Sequence, residues 1–297
     1  MFLNRSESIS FLLFCVALLL PVSANAASNP TLWSLRIAND SFFAQDRGYT
    51  SGLELEVTPA HQPWSLFLGQ DIFTPDADRT SQPPPGQHPY GAWLYLGGEY
   101  RTALRHNMLL TSALTLGTTG ERAMGEELQD LAHTVLGFNE YEGWDSQISE
   151  RWGWILQLRL EGRLPLWHNS NNLVADIIAF AEGRGGNIYV DTNAGAMLRF
   201  GRNLPELEAE YRPQEDSSLF LTCGYNIRAV DRNVFLEGVK DSDYTVEPER
   251  TYDRFQAGIH WRYDPWRIDL DVFIPQQFFT SQKLNCRYGV LTLSYWF

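Results

Sequence analysis

The sequence predicts an all-β protein, a transmembrane antiparallel twelve-stranded β-barrel with one short helix in an extracellular loop. Three observations predict it. Apolar and polar residues alternate with a period of two along most of the chain, as in strands with two unlike faces. The polar face is charged again and again, which suits a lumen, whereas a charge on the lipid face would cost roughly 2 to 4 kcal/mol at the bilayer midplane. The chain also stops on an aromatic, Phe297, with Leu291, Leu293 and Tyr295 on the same parity, like the terminal strand of a bacterial outer-membrane barrel.

The chain opens on Asn4 and Arg5, the apolar run 11–21 and the small-x-small sequence Ala24-Asn25-Ala26, which together read as a secretory signal over 1–26. Cys15 belongs to that segment. Twelve alternating segments follow, at 32–38, 52–58, 64–73, 91–101, 107–117, 151–164, 173–181, 188–201, 218–229, 252–263, 267–274 and 287–297. In the sixth, Trp152, Trp154, Leu156, Leu158 and Leu160 oppose Gln157, Arg159 and Glu161; in the eleventh, Ile268, Leu270, Val272 and Ile274 oppose Arg267, Asp269 and Asp271. Every backbone group in lipid must be paired, so strands of this kind have to close on one another. An even strand count returns both termini to the periplasmic side.

Connections should then alternate in length. Short ones follow the second, fourth and tenth segments, as at Asp264-Pro265, while 39–51, 74–90, 118–150 and 231–251 are long and fall outside the cell. The connection 202–217 is the exception, long on the short side. In the third long loop, Met124, Leu128, Leu131, Ala132, Val135 and Leu136 have helical spacing over 122–136, with Gly137 as a stop and His133 beside the apolar stripe. Such a helix should lie across the rim.

Composition narrows the partners. A net charge of −13 argues against nucleic acid, whose binding rests on Lys and Arg. No apolar run long enough for a membrane-spanning helix follows the signal, yet 10 Trp and 13 Tyr suit membrane interfaces. Cys223 and Cys286 fall on opposite parities, so no disulfide is expected.

Candidate chemistry gathers in two outward loops. Asn39, Asp40 and Asp46 in the first are hard oxygen donors of the kind calcium prefers, although Asn-Asp and Asp-Arg-Gly also supply ordinary turn chemistry. Strand parity puts Asn39 and Ser51 with the lipid-facing Ile37 and Leu53, and Asp40 and Thr50 with the lumen, provided the strands stay regular. A site astride the wall would reach lipid in the outer leaflet.

Asn39-Asp40 and Tyr49-Thr50-Ser51-Gly52, together with His133, Gly137, Gly143-Trp144, Gln147 and Glu150, resemble the outer-membrane lipid A 3'-O-deacylases. The resemblance spans nearly the whole chain after the signal. It implies calcium-dependent removal of the 3'-linked acyloxyacyl group of lipid A, with Asn39, Asp40, Thr50 and Ser51 around the metal and His133 as the site histidine. It also implies a glutamate shortly after that histidine, assigned to Glu140, with Glu142 close by. One departure is His88-Pro89-Tyr90, where the family pattern has an arginine before the proline. The expected protein is a monomer of the bacterial outer membrane acting on lipopolysaccharide, with Ca2+ as its cofactor. Two other readings stay open: a passive pore or structural barrel, and an outer-membrane phospholipase, against which the absence of a serine and histidine pair on one strand counts.

Overall fold

The computed structural model describes residues 30–43, 48–76, 80–105, 107–136, 141–207, 212–213 and 216–297. The expected signal segment 1–26, Asp46, Gly137 and Glu140 lie outside the described residues. Twelve strands form one closed antiparallel barrel: β1 (Thr31–Asn39), β2 (Gly48–Pro59), β3 (Trp64–Thr74), β4 (Gly91–Arg105), β5 (Met108–Thr119), β6 (Trp152–His168), β7 (Leu173–Gly186), β8 (Tyr189–Arg202), β9 (Ser218–Asn233), β10 (Thr251–Tyr263), β11 (Trp266–Pro275) and β12 (Tyr288–Trp296). The cylinder closes where β12 pairs with β1, Leu35 opposite Leu293 and Ile37 opposite Leu291. Thr31 and Phe297 exchange two backbone hydrogen bonds of 3.0 Å, so the final aromatic lies within the closure.

The alternation read from the sequence holds in space. Leu66, Leu96, Trp154, Leu156 and Leu158 are exposed on the outer wall, where lipid and not water covers them. Charges on the opposite parity fill the lumen. Glu182 accepts from Arg159 and Arg228, Arg228 reaches Asp191 at 2.6 Å, and Arg184 reaches the same carboxylate. Lower down, Asp176 lies between Arg163 at 2.6 Å and Arg199 at 2.8 Å. Pairing these charges compensates the desolvation that a narrow, side-chain-filled lumen imposes.

Segments at both ends pack into the lumen. The long connection between β8 and β9, which broke the expected alternation, turns inward: Leu207 packs on Leu109 and Ile178, and the carbonyl of Pro205 accepts from Arg199. At the outer end the short helix α2 (Val234–Glu237) inserts Phe235, which stacks on Phe73 at 4.3 Å in a cluster with Trp93, Tyr95 and Ile155. These segments and ion pairs narrow the lumen. The β7–β8 hairpin is a second exception, a tight turn on the outer side, and Ile188, read as the start of a lipid-facing segment, turns into the lumen cluster. Cys223 is exposed and Cys286 buried, both unbridged.

The loop helix departs from expectation in three respects. A 3-10 turn over Gly120–Ala123 precedes it, and Met124 at φ 55° separates the two, so the α-helix, α1, begins at Gly125 and runs to Leu136. It does not lie across the rim. Ile72 and Ala92 share the outward parity of Leu66, Leu68 and Leu96, yet are almost fully buried, because Ala123, Tyr141, Trp144 and the start of α1 cover them from outside. A Cβ on Gly125 would come within 2.6 Å of the Ala92 Cβ, so glycine is what permits this close seat. Finally, among the described side chains the most buried positions of α1 are Gly125, Gln129 and His133, at four-residue spacing; Leu128 is half-buried against the wall cluster, Leu131 is half-buried and Ala132 is exposed. An apolar stripe need not face the protein where the surroundings are themselves apolar.

Candidate active site on the outer wall

The outer ends of β1 and β2 carry four oxygen-bearing side chains in adjacent positions. Asn39 and Ser51 are register partners, which puts their side chains on the same, lipid-facing side and their Cβ atoms about 5 Å apart. Asp40, one residue past β1, is buried; its N–H donates to the Thr50 carbonyl at 3.3 Å and its own carbonyl accepts from Phe43 at 2.9 Å. On the far side of Asn39, Phe42 lies over Gly289, where a Cβ would come within 2.8 Å of its ring.

Thr50 is where regular parity fails. In the β2–β3 ladder Tyr49 pairs with Phe73 and Ser51 with Ile72, which leaves Thr50 as the extra residue of a β-bulge. Tyr49 accordingly faces the lumen, donating to Asp71 at 2.8 Å. The Thr50 hydroxyl meets that of Thr74 at 2.5 Å, and Thr74 has the outward parity of Ile72. The lumen assignment of Thr50 is therefore corrected: the bulge turns its hydroxyl to the same outward side as Ser51, a re-aiming common near functional sites.

His133 faces the same side of the wall from α1. Its ring is buried and tilted on Tyr141 with centroids 5.5 Å apart. Tyr141 belongs to the cluster that covers Ile72, and Ile72 is the register partner of Ser51. The histidine, on the helix, and the oxygen donors, on β1 and β2, are thus both linked to the outward face of the wall around Ile72, the first through Tyr141 and the second through the Ser51–Ile72 pair. The rotation of α1 is set by Gln129, whose side-chain oxygen accepts from Trp144 Nε1 at 2.8 Å with both groups buried. Trp144 packs in turn on Tyr90 at 5.4 Å, and Gln70 donates to the Ala123 carbonyl.

The segment after α1 is pinned separately. Asp243, in the β9–β10 loop, accepts from Ser149 Oγ at 2.6 Å and from the backbone N–H groups of Ser149, Val239 and Lys240. Burial would raise its pKa, but these donors outweigh burial and hold the carboxylate below its ordinary value. Glu142 is exposed, and Glu150 pairs with Arg122 at 3.1 Å. His88 sits elsewhere, against Phe279 and lining the outer end of the lumen. Burial pulls its imidazole down to about 4, only partly offset by its hydrogen bond to the Pro89 carbonyl, so it is neutral at pH 7 and no substitute for an arginine cation.

Gln129, Tyr141 and Thr74 were not singled out from the sequence. Gln129 was within reach, since it precedes His133 by four residues and must share its helix face. Thr74 was not, because its role depends on the bulge.

A closed barrel with an apolar outer wall and a charged lumen has the architecture of an outer-membrane protein, here with oxygen donors and a histidine on the lipid-facing side. The chain belongs to the family of outer membrane protein LpxR, whose family model matches residues 11–297. That membership agrees with the motifs of the first and third long loops and makes the protein an outer-membrane lipid A 3'-O-deacylase. Among solved structures, LpxR from Salmonella typhimurium superposes with a TM-score of 0.80 at 21% identity, over 90% of this chain and all of that one. The β domain of the Bordetella autotransporter BrkA gives 0.47 at 12% identity over 91% of this chain and 100% of its own, and the translocator domain of NalP from Neisseria meningitidis 0.43 at 10% over 98% and 95%. None of the curated proteins matches the chain.

Proposed function

We propose that ester hydrolysis takes place in the outward cleft between β1–β2 and α1, with water as the nucleophile, His133 as the base and calcium as the cofactor. The observation that carries this reading is that Asn39, Ser51 and, through its bulge, Thr50 all turn toward the lipid side, the side on which His133 is buried.

Calcium fits the donor set by its chemistry: one amide, one carboxylate and two hydroxyls are all hard oxygens. Among the described residues no group of three or more His, Cys, Asp or Glu side chains could hold a metal, so Asp40 would be the one acid among neutral oxygens. Bound there, the ion would supply Lewis-acid polarisation of the ester carbonyl and compensation of developing negative charge. His133 removes a proton from water as the water oxygen adds to the carbonyl carbon. The carbonyl re-forms as the bond to the 3'-linked sugar oxygen breaks, and the same imidazole returns the proton to that oxygen. The products are a free fatty acid and a lipid A hydroxyl. Tyr141 excludes water from one side of the imidazole, and Gln129 holds the helix face that presents it. Glu140, with Glu142 as the alternative, is assigned to orienting the imidazole. The 3'-linked acyloxyacyl group is the leaving portion of the substrate, and the acting form is a monomer.

Mass spectrometry of lipid A from cells with and without the gene tests the reading. Loss of an acyloxyacyl unit that depends on His133 and disappears on chelation is expected. Unchanged lipid A in wild-type cells, or full activity of His133→Ala, would overturn it.

A further inference from the structure

The outer wall opposite the cleft is not evenly covered. β8 lies six strands from β2 in either direction round the cylinder. There Gly183 and Gly185 of β7 and Thr192 and Ala194 of β8 form the floor of an apolar groove whose near side is Leu156 and Leu158 of β6. The groove consists of two adjoining depressions of about 640 and 580 Å3 that share Leu158, Gly183 and Thr192. A Cβ built on Gly183 or Gly185 would meet nothing within 4 Å, so the hollow is open outward and is not filled by neighbouring side chains.

The groove runs from the middle of the wall to the outer rim. At its outer end Arg232 is the register partner of Val190, which lines the groove, and its exposed side chain stands on the same outward face. Arg151 donates to the Asn187 carbonyl at 3.4 Å, at the adjacent β7–β8 hairpin. Arg232 therefore stands beside the outer end of an apolar hollow that Asp231 also lines, with Arg151 at the neighbouring hairpin.

We propose that this groove is a second, non-catalytic site for lipopolysaccharide, taking one acyl chain along β7 and β8 and a lipid A phosphate on Arg232. The groove is continuous with the lipid-facing band of the barrel, so its occupant comes from the bilayer, and its outer position selects the outer leaflet. An empty hollow forfeits dispersion contacts along its whole lining, which a flexible acyl chain restores. The guanidinium fork matches phosphate geometry and strengthens at a low-dielectric rim. Apolar filling and charge together distinguish a retained molecule from freely exchanging lipid. The floor of the site, on β7 and β8, is at least three strands from β3 and β4, where α1 rests, and the site does not depend on which residues hydrolyse the ester.

The test is native mass spectrometry of the full-length protein extracted from outer membranes in mild detergent, counting retained lipopolysaccharide. Wild type is expected to retain one molecule more than Gly183→Leu/Gly185→Leu, which fills the groove, and more than Arg232→Glu, with deacylation of dispersed lipid A within twofold of wild type in both. Arg232→Glu changes an exposed side chain and keeps the test valid if the double variant does not fold. Equal lipopolysaccharide counts in wild type and Arg232→Glu would overturn the proposal, as would retention of phospholipid in its place.

Discussion

Replacing Trp144 by phenylalanine tests how α1 is held. The indole Nε1–H donates to Gln129 at 2.8 Å in a site where the tryptophan and the glutamine are 1% and 4% exposed. Trp144→Phe keeps an aromatic ring against Tyr90 but leaves the Gln129 oxygen buried without its donor, which costs about 1 to 3 kcal/mol. Among the described residues the glutamine amide nitrogen has no hydrogen-bond partner either, so the side chain gains by turning out of its seat, and α1 rotates with it. Because His133 lies one helical turn further along the same face, a shift of about 1 Å at the imidazole is the expected result, and misplacement of that size lowers rate by roughly 100-fold. The assay is the initial rate of fatty acid release from lipid A, with the barrel's heat-modifiable migration as a check on folding. Trp152→Phe, on the exposed lipid-facing rim, serves as the control and should be within twofold of wild type. A Trp144→Phe enzyme that folds and retains wild-type rate would refute the idea that this hydrogen bond positions the histidine.

Further outcomes follow from the same geometry. With a single carboxylate among the proposed donors, half-maximal activation by calcium is expected on the order of 0.1 to 1 mM, the range of weak extracellular sites; activity undiminished in excess chelator would contradict it. His88 is held neutral at about 4 against an ordinary value near 6.5, so its contribution to stability is complete above pH 6.5 and is lost as pH falls toward 4. The shift corresponds to about 3 kcal/mol. His88→Gln should flatten the difference in melting temperature between pH 7 and pH 4.5, and an unchanged acid sensitivity would rule out His88 as its source. Phe235→Ala removes the ring stacked on Phe73 and should cost about 3 to 5 kcal/mol. The variant should still not conduct in planar bilayers, because the Arg184–Asp191–Arg228 pairs and the Leu207 plug remain; steady ohmic conductance would revive the channel reading.

The barrel was legible because lipid enforces a strict rule. Charges such as Arg159, Asp191 and Asp269 cannot face hydrocarbon, so the sequence keeps them on one parity and the twelve strands emerge from it. What the pattern could not carry were the places where regular geometry stops. The bulge at Thr50 inserts one residue into the β2–β3 ladder and reverses the side on which its hydroxyl emerges, and no local composition announces it. The helix showed a true apolar stripe, but a stripe identifies the protein-facing side only when the other side is water. Here α1 rests on the outer wall, so Gln129 and His133 face the barrel and Leu131 does not. The connection 202–217 had the wrong length for its side because it serves as a plug, a role visible only once Leu207 is seen against Leu109 and Ile178.

The most direct test of the central claim is a crystal structure of the His133→Ala variant with lipid A and calcium bound. The account predicts the scissile ester outside the barrel wall, beside Asn39, Thr50 and Ser51 and beneath α1, with the cation on those oxygens. An ester bound within the lumen, or a cation remote from Asn39 and Asp40, would contradict it.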